Sequence, residues 1–408
     1  MDPKHSGDRP LTIAFYSPAL PESGVSNGIV TYTRIMRDAL RAEGHRVLVF
    51  TADHVERADG QVVELAKPNR ITARARVWME ARRSDGSHPW ARLRVIDGFR
   101  EVRRLGAEIV EIEESFGWAG RLAGQGVAIV ERLHGPHFFV RDRVGTGEQL
   151  KLGDLREAAE RASFDSVQAI TSPTKALLDA LIEQYDFEPP LARVVPNPIT
   201  VAPTGQQWRL EAATPDQILF VGRFDLVKGA DLVVRAFAQA LERRPTLSLV
   251  MAGPDPGLAQ ADGSTLHFDQ FAAREVSSTA KERIRFVGLQ SQRQLADLRS
   301  QSVLAVVGSR FEVFSYTAAE AMAAGMPLLA TSTFGPREMF RDGLEGRLIS
   351  TDDVDAMADA MVSMVSEPAN LSRMGSAAFA RAKDRFSPAR IARECVDVYR
   401  EAIAALKR

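Results

Sequence analysis

Short apolar runs alternate with amphipathic helical stretches along nearly the whole chain, and the alternation restarts near its middle. A brief apolar run, a helix and a second apolar run together read as a βαβ unit. Leu11 to Tyr16 predicts the first strand, Ile29 to Glu43 a helix that Gly44 stops, and Val47 to Thr51 the next strand. Ile109 to Ile112, Ala128 to Leu133, Ala169 to Thr171 and Arg193 to Val195 predict further strands with helices between them. After Pro196-Asn197-Pro198 comes a polar stretch, Thr200 to Pro215, with the composition of a linker. The pattern then begins again with strand Ile218 to Gly222 and helix Ala230 to Glu242. Leu247 to Ala252, Ile284 to Val287, Val303 to Val307 and Leu328 to Thr331 follow as strands, and Pro388 to Lys407 as a long amphipathic closing helix. At 408 residues the chain exceeds one typical core. The expected class is therefore α/β, with two doubly wound parallel-sheet domains, 1–199 and 200–385, facing across a cleft. Segment 386–408 is expected to pack back toward the first domain, and ligands to bind where strand ends face each other.

Composition removes several function classes. Hydrophobic content of 45%, charge of 26% and a net charge of −1 describe an ordinary globular chain. No run of apolar residues is long enough for a membrane span, and the polar start, Met1 to Pro10, does not read as a signal peptide. The lone Cys395 excludes an internal disulfide framework and a cysteine-rich zinc site, and fits a reducing cytoplasm. Balanced charge without a nucleic-acid motif speaks against nucleic-acid binding. One segment departs from that balance. Arg70 to Arg104 holds ten arginines, no lysine and four acids, with Val77, Trp78, Met79, Trp90 and Leu93 interleaved. A solvated helical face with a loop explains it. A basic amphipathic surface for anionic lipid or an anionic acceptor is the other reading, which would make the protein peripheral to the inner face of a membrane. A homodimer stays open.

The richest stretch for chemistry runs from Ser309 to Gly325. Glu312 falls on the loop at a strand's carboxyl end, and Glu320 in the first turns of the helix that follows. In an open α/β sheet that is the ligand-binding edge. Amides of Ser315, Tyr316 and Thr317 at the helix start would meet an anion. A carboxylate beside phosphate is repelled, so Glu320 suits neutral ribose hydroxyls and Glu312 a second polyol, a sugar ring. Arg223 and Lys228, on the loop from Gly222 to Gly229, leave the second domain's first strand at the same edge. Two cations there can offset charge growing on a departing nucleoside diphosphate. In the first domain, Gly24 and Gly28 with Asn27 form a loop that lets backbone approach a ligand, although the G-x-G-x-x-G spacing of a dinucleotide site is absent. His134 ends an apolar strand and either packs structurally or touches the sugar or phosphate; His137 is less well placed. Glu113 and Glu114 end the preceding strand and are either solvated or in reach of an acceptor. Asp353-Val354-Asp355 has a D-x-D metal pattern, but its position at a helix start reads as capping, and no metal is expected.

Taken together these motifs resemble the family-4 retaining glycosyltransferases of the GT-B fold, over nearly the full length. Glu312 and Glu320 match the E-x7-E signature, with Phe314 at its aromatic position and Ala321 to Pro327 continuing it. Gly222, Arg223, Lys228 and Gly229 match a second family segment, Pro196-Asn197 a third and Phe286-Val287-Gly288 a fourth. The resemblance implies a UDP- or GDP-sugar donor in the C-terminal half and a hydroxyl acceptor in the N-terminal half. That acceptor would be a glycan, a lipid-linked sugar or a small metabolite. It also implies retention of anomeric configuration with neither an obligatory metal nor another cofactor. On matched positions Glu320 would bind ribose, Glu312 the donor sugar, and Arg223 and Lys228 the diphosphate. Phe314, Ser315, Tyr316, Thr317, Gly288, Asn197 and Gly222 would line the donor site. His134 would lie by the sugar, and Gly24, Asn27 and Gly28 near phosphate or acceptor. Two positions depart from the family: Asn27-Gly28 replaces a glycine pair, and Ser315 replaces a glycine. An epimerase or phosphorylase on the same architecture, and a non-catalytic sugar-nucleotide binder, are the alternatives; a dehydrogenase is disfavoured.

Overall fold

The computed structural model describes residues 9–25, 27–67, 70–81, 85–139, 148–203, 205–260 and 263–408. They fall into two compact units, Met1–Pro198 with Pro388–Arg408, and Ile199–Ser387. In the first, β1 (Thr12–Tyr16), β2 (Arg46–Phe50), β3 (His54–Glu56), β4 (Val62–Glu64), β5 (Ile109–Glu113), β6 (Ala128–Arg132), β7 (Ala169–Ser172) and β8 (Ala192–Val194) form one sheet. Its order is β4-β3-β2-β1-β5-β6-β7-β8. From β2 to β8 all neighbours pair in parallel. β3 and β4 run antiparallel at the other margin, a departure from the all-parallel expectation. The cause is local. A tight turn at Thr51–His54 joins β2 to β3, and Gly60 in its left-handed conformation turns the chain back from β3 to β4, so no crossover helix intervenes and only antiparallel pairing is possible.

In the second unit, β9 (Gln217–Val221), β10 (Ser248–Ala252), β13 (Ile284–Phe286), β14 (Leu304–Val307), β15 (Leu328–Thr331) and β16 (Arg347–Ile349) form a parallel sheet ordered β13-β10-β9-β14-β15-β16; β11 (Leu258–Ala259) and β12 (Thr265–Leu266) make a separate small ribbon. Strands buried on both faces need continuous apolar sequence, and β14, with Leu304, Ala305, Val306 and Val307 all buried, supplies it. The order reverses between β9 and β14, which pair directly, with Leu219 beside Ala305. That reversal sends the following helices to opposite faces and opens a crevice between the two strand ends.

Close backbone approach sets the crevice's floor. Gly229 caps the helix Ala230–Arg243 with φ 63°, and a Cβ there would lie 1.9 Å from the Gly308 carbonyl oxygen at the end of β14. Only glycine meets both demands. In the first unit the closing helix Pro388–Leu406 buries Ile391, Cys395, Val398 and Tyr399. The Tyr399 hydroxyl donates to Glu111 Oε2 at 2.7 Å, so a helix late in sequence completes a core laid down early.

The arginine-rich segment forms helices Arg70–Ala81 and Pro89–Arg104, and much of its charge is answered locally. Buried Arg92 pairs with Asp85 at 3.0 Å, and buried Arg94 donates to the carbonyls of Ala52, Leu65 and Ala66. Arg76 meets Asp97, and Arg104 meets Glu101, each at 2.6 Å. Arg82 and Arg83 lie outside the described residues. Trp78 and Met79 remain more than half exposed, at 58% and 54%. Among the described residues no helix is long and apolar enough to cross a membrane.

Gly229→Ala should lower stability by about 3 kcal/mol or more, since it combines a left-handed alanine with backbone overlap. Thermal unfolding checks this, with a fall in midpoint on the order of 10 °C expected.

Candidate functional site

The loops after β9 and β14 meet at the second unit's switch point. Lys228 Nζ donates to Glu312 Oε2 at 2.7 Å, and the Ser309 hydroxyl reaches the same oxygen at 3.4 Å. Asp225 organises the β9 side: its Oδ1 accepts the Lys228 amide at 2.7 Å and its Oδ2 accepts Arg223 Nε at 2.6 Å. Arg223, Lys228 and Glu312 therefore belong to one connected cluster. Its charges alternate, so each group has a partner within the cluster.

Glu320 lies in the helix Tyr316–Ala324 and pairs with Arg299, a nearly buried residue of the helix Gln292–Ser300. Arg299 is absent from the sequence expectations; nothing in its local spacing singles it out. Ser315 caps the Tyr316–Ala324 helix through a hydrogen bond from the Ala318 amide at 3.3 Å. The positive end of that helix dipole thus follows Glu312 by three residues in the chain. The Thr317 hydroxyl donates to the Val221 carbonyl at 3.4 Å, tying the helix to the end of β9. Gly222 follows β9 and its carbonyl lies close under Gly253, while Gly288, at φ 67°, has open space where a Cβ would point.

Two residues expected to line the donor site are held by neighbouring side chains. Phe314 is 4% exposed and packs against Tyr316 and Phe386, so its ring shapes the loop from within the core. Asn197 is buried in the first unit, where its side-chain oxygen accepts Arg132 Nη2 at 2.6 Å. An aromatic in a signature, or an asparagine after proline, carries no sequence mark that separates packing from ligand contact.

In the first unit, Asn27 caps the helix Gly28–Ala42 by accepting the Ile29 amide at 2.7 Å, and Gly24 takes φ 74° in open space. His134 packs edge-on against Tyr32 with ring centroids 5.1 Å apart. Burial, with help from the Arg132 charge, holds its imidazole down near 3, so it is neutral at physiological pH. His134, Tyr16, Tyr32, Glu111, Glu113 and Arg132 line a small cavity at the ends of β1, β5 and β6.

The carboxylates here are not solvated. Glu114 accepts the amides of His134 and Gly135 at 2.9 and 2.7 Å, Glu113 the amide of Ser115 at 2.7 Å, and Glu160 the amide of His137 at 2.7 Å. The chain's own acids thus fill loop amides that would otherwise be open to an outside anion. Burial pushes the Glu114 carboxyl up to about 8, and the nearby Glu113 and Glu160 charges add to it. Burial likewise raises Glu113, Glu131 and Glu160. Acids inside the apolar runs of β5 and β6 were the available sequence signal for this cluster.

Among the described residues no group of three or more His, Cys, Asp or Glu is arranged to hold a metal ion. Asp353 of the D-x-D pattern caps a helix, accepting the Ala356 amide at 2.9 Å.

Two protein families match. Residues 26–202 match the family described as Glycosyltransferase Family 4, and residues 206–381 match Glycosyl transferases group 1. The chain is 29% identical over 307 residues to a D-inositol 3-phosphate glycosyltransferase of Nocardioides sp., a match covering 71% of this chain and 66% of that protein. A protein of the same description from Corynebacterium efficiens is 24% identical over 418 residues, covering 97% and 96%. The chain spans about two thirds of the length of the Nocardioides relative and nearly all of the Corynebacterium one. Among solved structures it is similar in fold to sucrose-phosphate synthase from Thermosynechococcus elongatus, with a TM-score of 0.73, 21% identity and coverage of 97% and 100%. Anabaena Alr3699/HepE in complex with UDP-glucose gives a TM-score of 0.66 at 16% identity, covering 95% and 99%.

The buried cluster makes a pH prediction. A carboxyl at about 8 in the folded protein and at its ordinary 4.5 when unfolded keeps a proton on folding, so stability falls as pH rises between those values. His134 acts oppositely, but only below its ordinary 6.5, where the unfolded chain takes up the proton. From pH 6.5 to 8 the carboxyl contribution stands alone in this cluster, at up to about 1.4 kcal/mol per pH unit per group. The unfolding midpoint should fall across that range, and Glu114→Gln should flatten the fall; differential scanning calorimetry measures both.

Proposed function

Because the chain belongs to the family-4 glycosyltransferases, with their GT-B fold, we propose that it transfers a hexosyl group from a nucleoside-diphosphate sugar to a hydroxyl acceptor with retention of anomeric configuration. The observation that carries this reading is the Lys228–Glu312 pair, 2.7 Å apart at the second unit's switch point beside a helix N-terminus. A diphosphate entering there would draw Lys228, Arg223 and the helix amides to its oxygens. Glu312 would then exchange its lysine for sugar hydroxyls, and Glu320 its arginine for the ribose diol. Contacts made by oppositely charged groups at the two ends fix the donor's direction.

In the step itself the anomeric carbon–oxygen bond to the diphosphate breaks and a bond to the acceptor oxygen forms on the same face. The departing diphosphate oxygen takes the acceptor's proton. Lys228, Arg223 and the helix N-terminus stabilise the charge that grows on the leaving group, the role in which preorganised donors contribute most. A double displacement would require a carboxylate on the opposite sugar face; the cations gathered at the leaving-group side favour the same-face route instead. With cations of its own at the diphosphate, the reaction is proposed to need no metal and no further cofactor. The Anabaena protein's complex with UDP-glucose supports a uridine donor, and the relatives' description, which names inositol 3-phosphate, supports a small cyclic polyol acceptor. The acids filling loop amides in the first unit favour a neutral polyol over a phosphorylated one. Peripheral membrane contact through 70–104 draws support from exposed Trp78, Met79 and Trp90, and little from arginines that are already paired.

Transfer from UDP-glucose to a panel of polyols, with the product's anomeric configuration read by NMR and EDTA present, tests the reaction. Lys228→Ala should lower turnover about 100-fold with a smaller change in KM. Glu320→Gln should weaken donor binding by about 1–3 kcal/mol, seen mainly in KM. Full turnover in Lys228→Ala would end this assignment.

A further inference from the structure

Arg310 stands two residues before Glu312, and each of its guanidinium nitrogens bonds to the protein. Nη1 and Nη2 meet Asp231 Oδ1 and Oδ2 at 2.6 and 2.9 Å, Nη1 also reaches the Leu226 carbonyl at 2.8 Å, and Nε reaches Asp352 Oδ1 at 2.5 Å. Its own amide donates to the Val227 carbonyl at 2.9 Å. Asp231 is 2% exposed and sits in the first turn of the helix Ala230–Arg243, directly after the Lys228 loop. One side chain thus binds the loop after β14 to the loop after β9 and to the helix that follows it.

The consequence for the donor groups is geometric. Val227 precedes Lys228, and Leu226 precedes Val227, so the carbonyls Arg310 holds lie immediately before the lysine. A 2.7 Å contact between Lys228 and Glu312 requires the two loops in one register, and no strand pairing extends past Gly222 or Gly308 to set it. Other bonds fix each loop separately: Thr331 holds the Ser309 carbonyl, Gly335 the Glu312 carbonyl and Asp225 the Lys228 amide. The Arg310 contacts run between the loops. A planar fork can satisfy both oxygens of Asp231, the Leu226 carbonyl and Asp352 at once; an ammonium, with three N–H groups on one atom, cannot.

We propose that Arg310, acting through Asp231, is a positioning residue that sets the spacing between the sugar-gripping Glu312 and the diphosphate-gripping Lys228. This rests on the donor roles given above to those two residues. Asp231 keeps a second cation, Arg235 Nη1 at 3.4 Å, so removing Arg310 does not strand a buried carboxylate and the variant should fold.

The first test needs no ligand. In the unliganded full chain, Arg310→Ala should speed amide hydrogen exchange at least tenfold in peptides spanning 224–229 and 309–315, leaving the first unit unchanged. Unaltered exchange in those peptides overturns the proposal. The second compares UDP with UDP-glucose by titration calorimetry. Arg310→Ala should hold UDP within about threefold of wild type while losing at least tenfold on UDP-glucose. Turnover should be partly restored by added free guanidinium, whose planar fork matches the vacated carboxylate, and Arg310→Lys should not substitute for it. Equal loss on both nucleotides without guanidinium rescue would mean a merely structural role and also overturns it. A wild type that binds neither nucleotide removes the donor assignment instead, and the exchange result still decides whether Arg310 couples the loops.

Discussion

Glu312 and Lys228 are 84 residues apart in sequence and 2.7 Å apart in space, and the topology of a parallel sheet is what brings them together. Strands β9 and β14 are neighbours, both run the same way, and the helices leaving them pass to opposite faces. Their carboxyl-end loops therefore diverge above a shared floor. Gly229 and Gly308 allow that floor to be tight, because no Cβ separates the helix start from the strand end. Every later feature of the site, from the alternating charges to the helix N-terminus, is placed by this pairing.

The first unit solves a different problem with similar topology. It buries Glu111, Glu113, Glu114, Glu131 and Glu160 with only a few cations nearby. Such burial is tolerable when each carboxylate either accepts hydrogen bonds or stays protonated. Both occur. Glu114 holds two loop amides, and its carboxyl is pushed up to about 8. Glu111 accepts the Tyr399 hydroxyl from the closing helix. The polar cluster thus has two structural effects: it orders the loop after β6, and it makes the closing helix part of the first unit's interior.

What the sequence made legible follows from what periodicity and punctuation can encode. Parallel strands buried on both faces leave uninterrupted apolar runs, so β1, β9, β10, β14 and β15 are plain in the sequence. Charged residues just past such runs, Arg223, Lys228 and Glu312, are placed at the correct sheet edge by that fact alone. The short strands β3, β4 and β16 carry too few residues to show a period, and they escape it. Side-chain direction escapes it too. Phe314 and Asn197 occupy the positions their motifs suggest, yet one faces the core and the other Arg132. Arg299 and Arg310 are invisible for a further reason. Their partners Glu320 and Asp231 lie 21 and 79 residues away, and an arginine's spacing says nothing about which distant acid it meets.

Pairing of the site's charges with one another has an energetic logic. Partly exposed ion pairs such as Lys228–Glu312 contribute only about 0–1 kcal/mol each. They are strong enough to hold side chains in place and weak enough to yield to a ligand that offers better partners. A diphosphate with several charged oxygens is such a ligand for Lys228, and a polyol with adjacent hydroxyls is such a ligand for Glu312. A bare phosphate displaces only one half of the pair and leaves the glutamate without its cation. The alternating arrangement thereby favours a ligand that carries both chemistries at a fixed separation, and Arg310, through its contacts to Asp231 and the Leu226 carbonyl, is what keeps that separation from drifting.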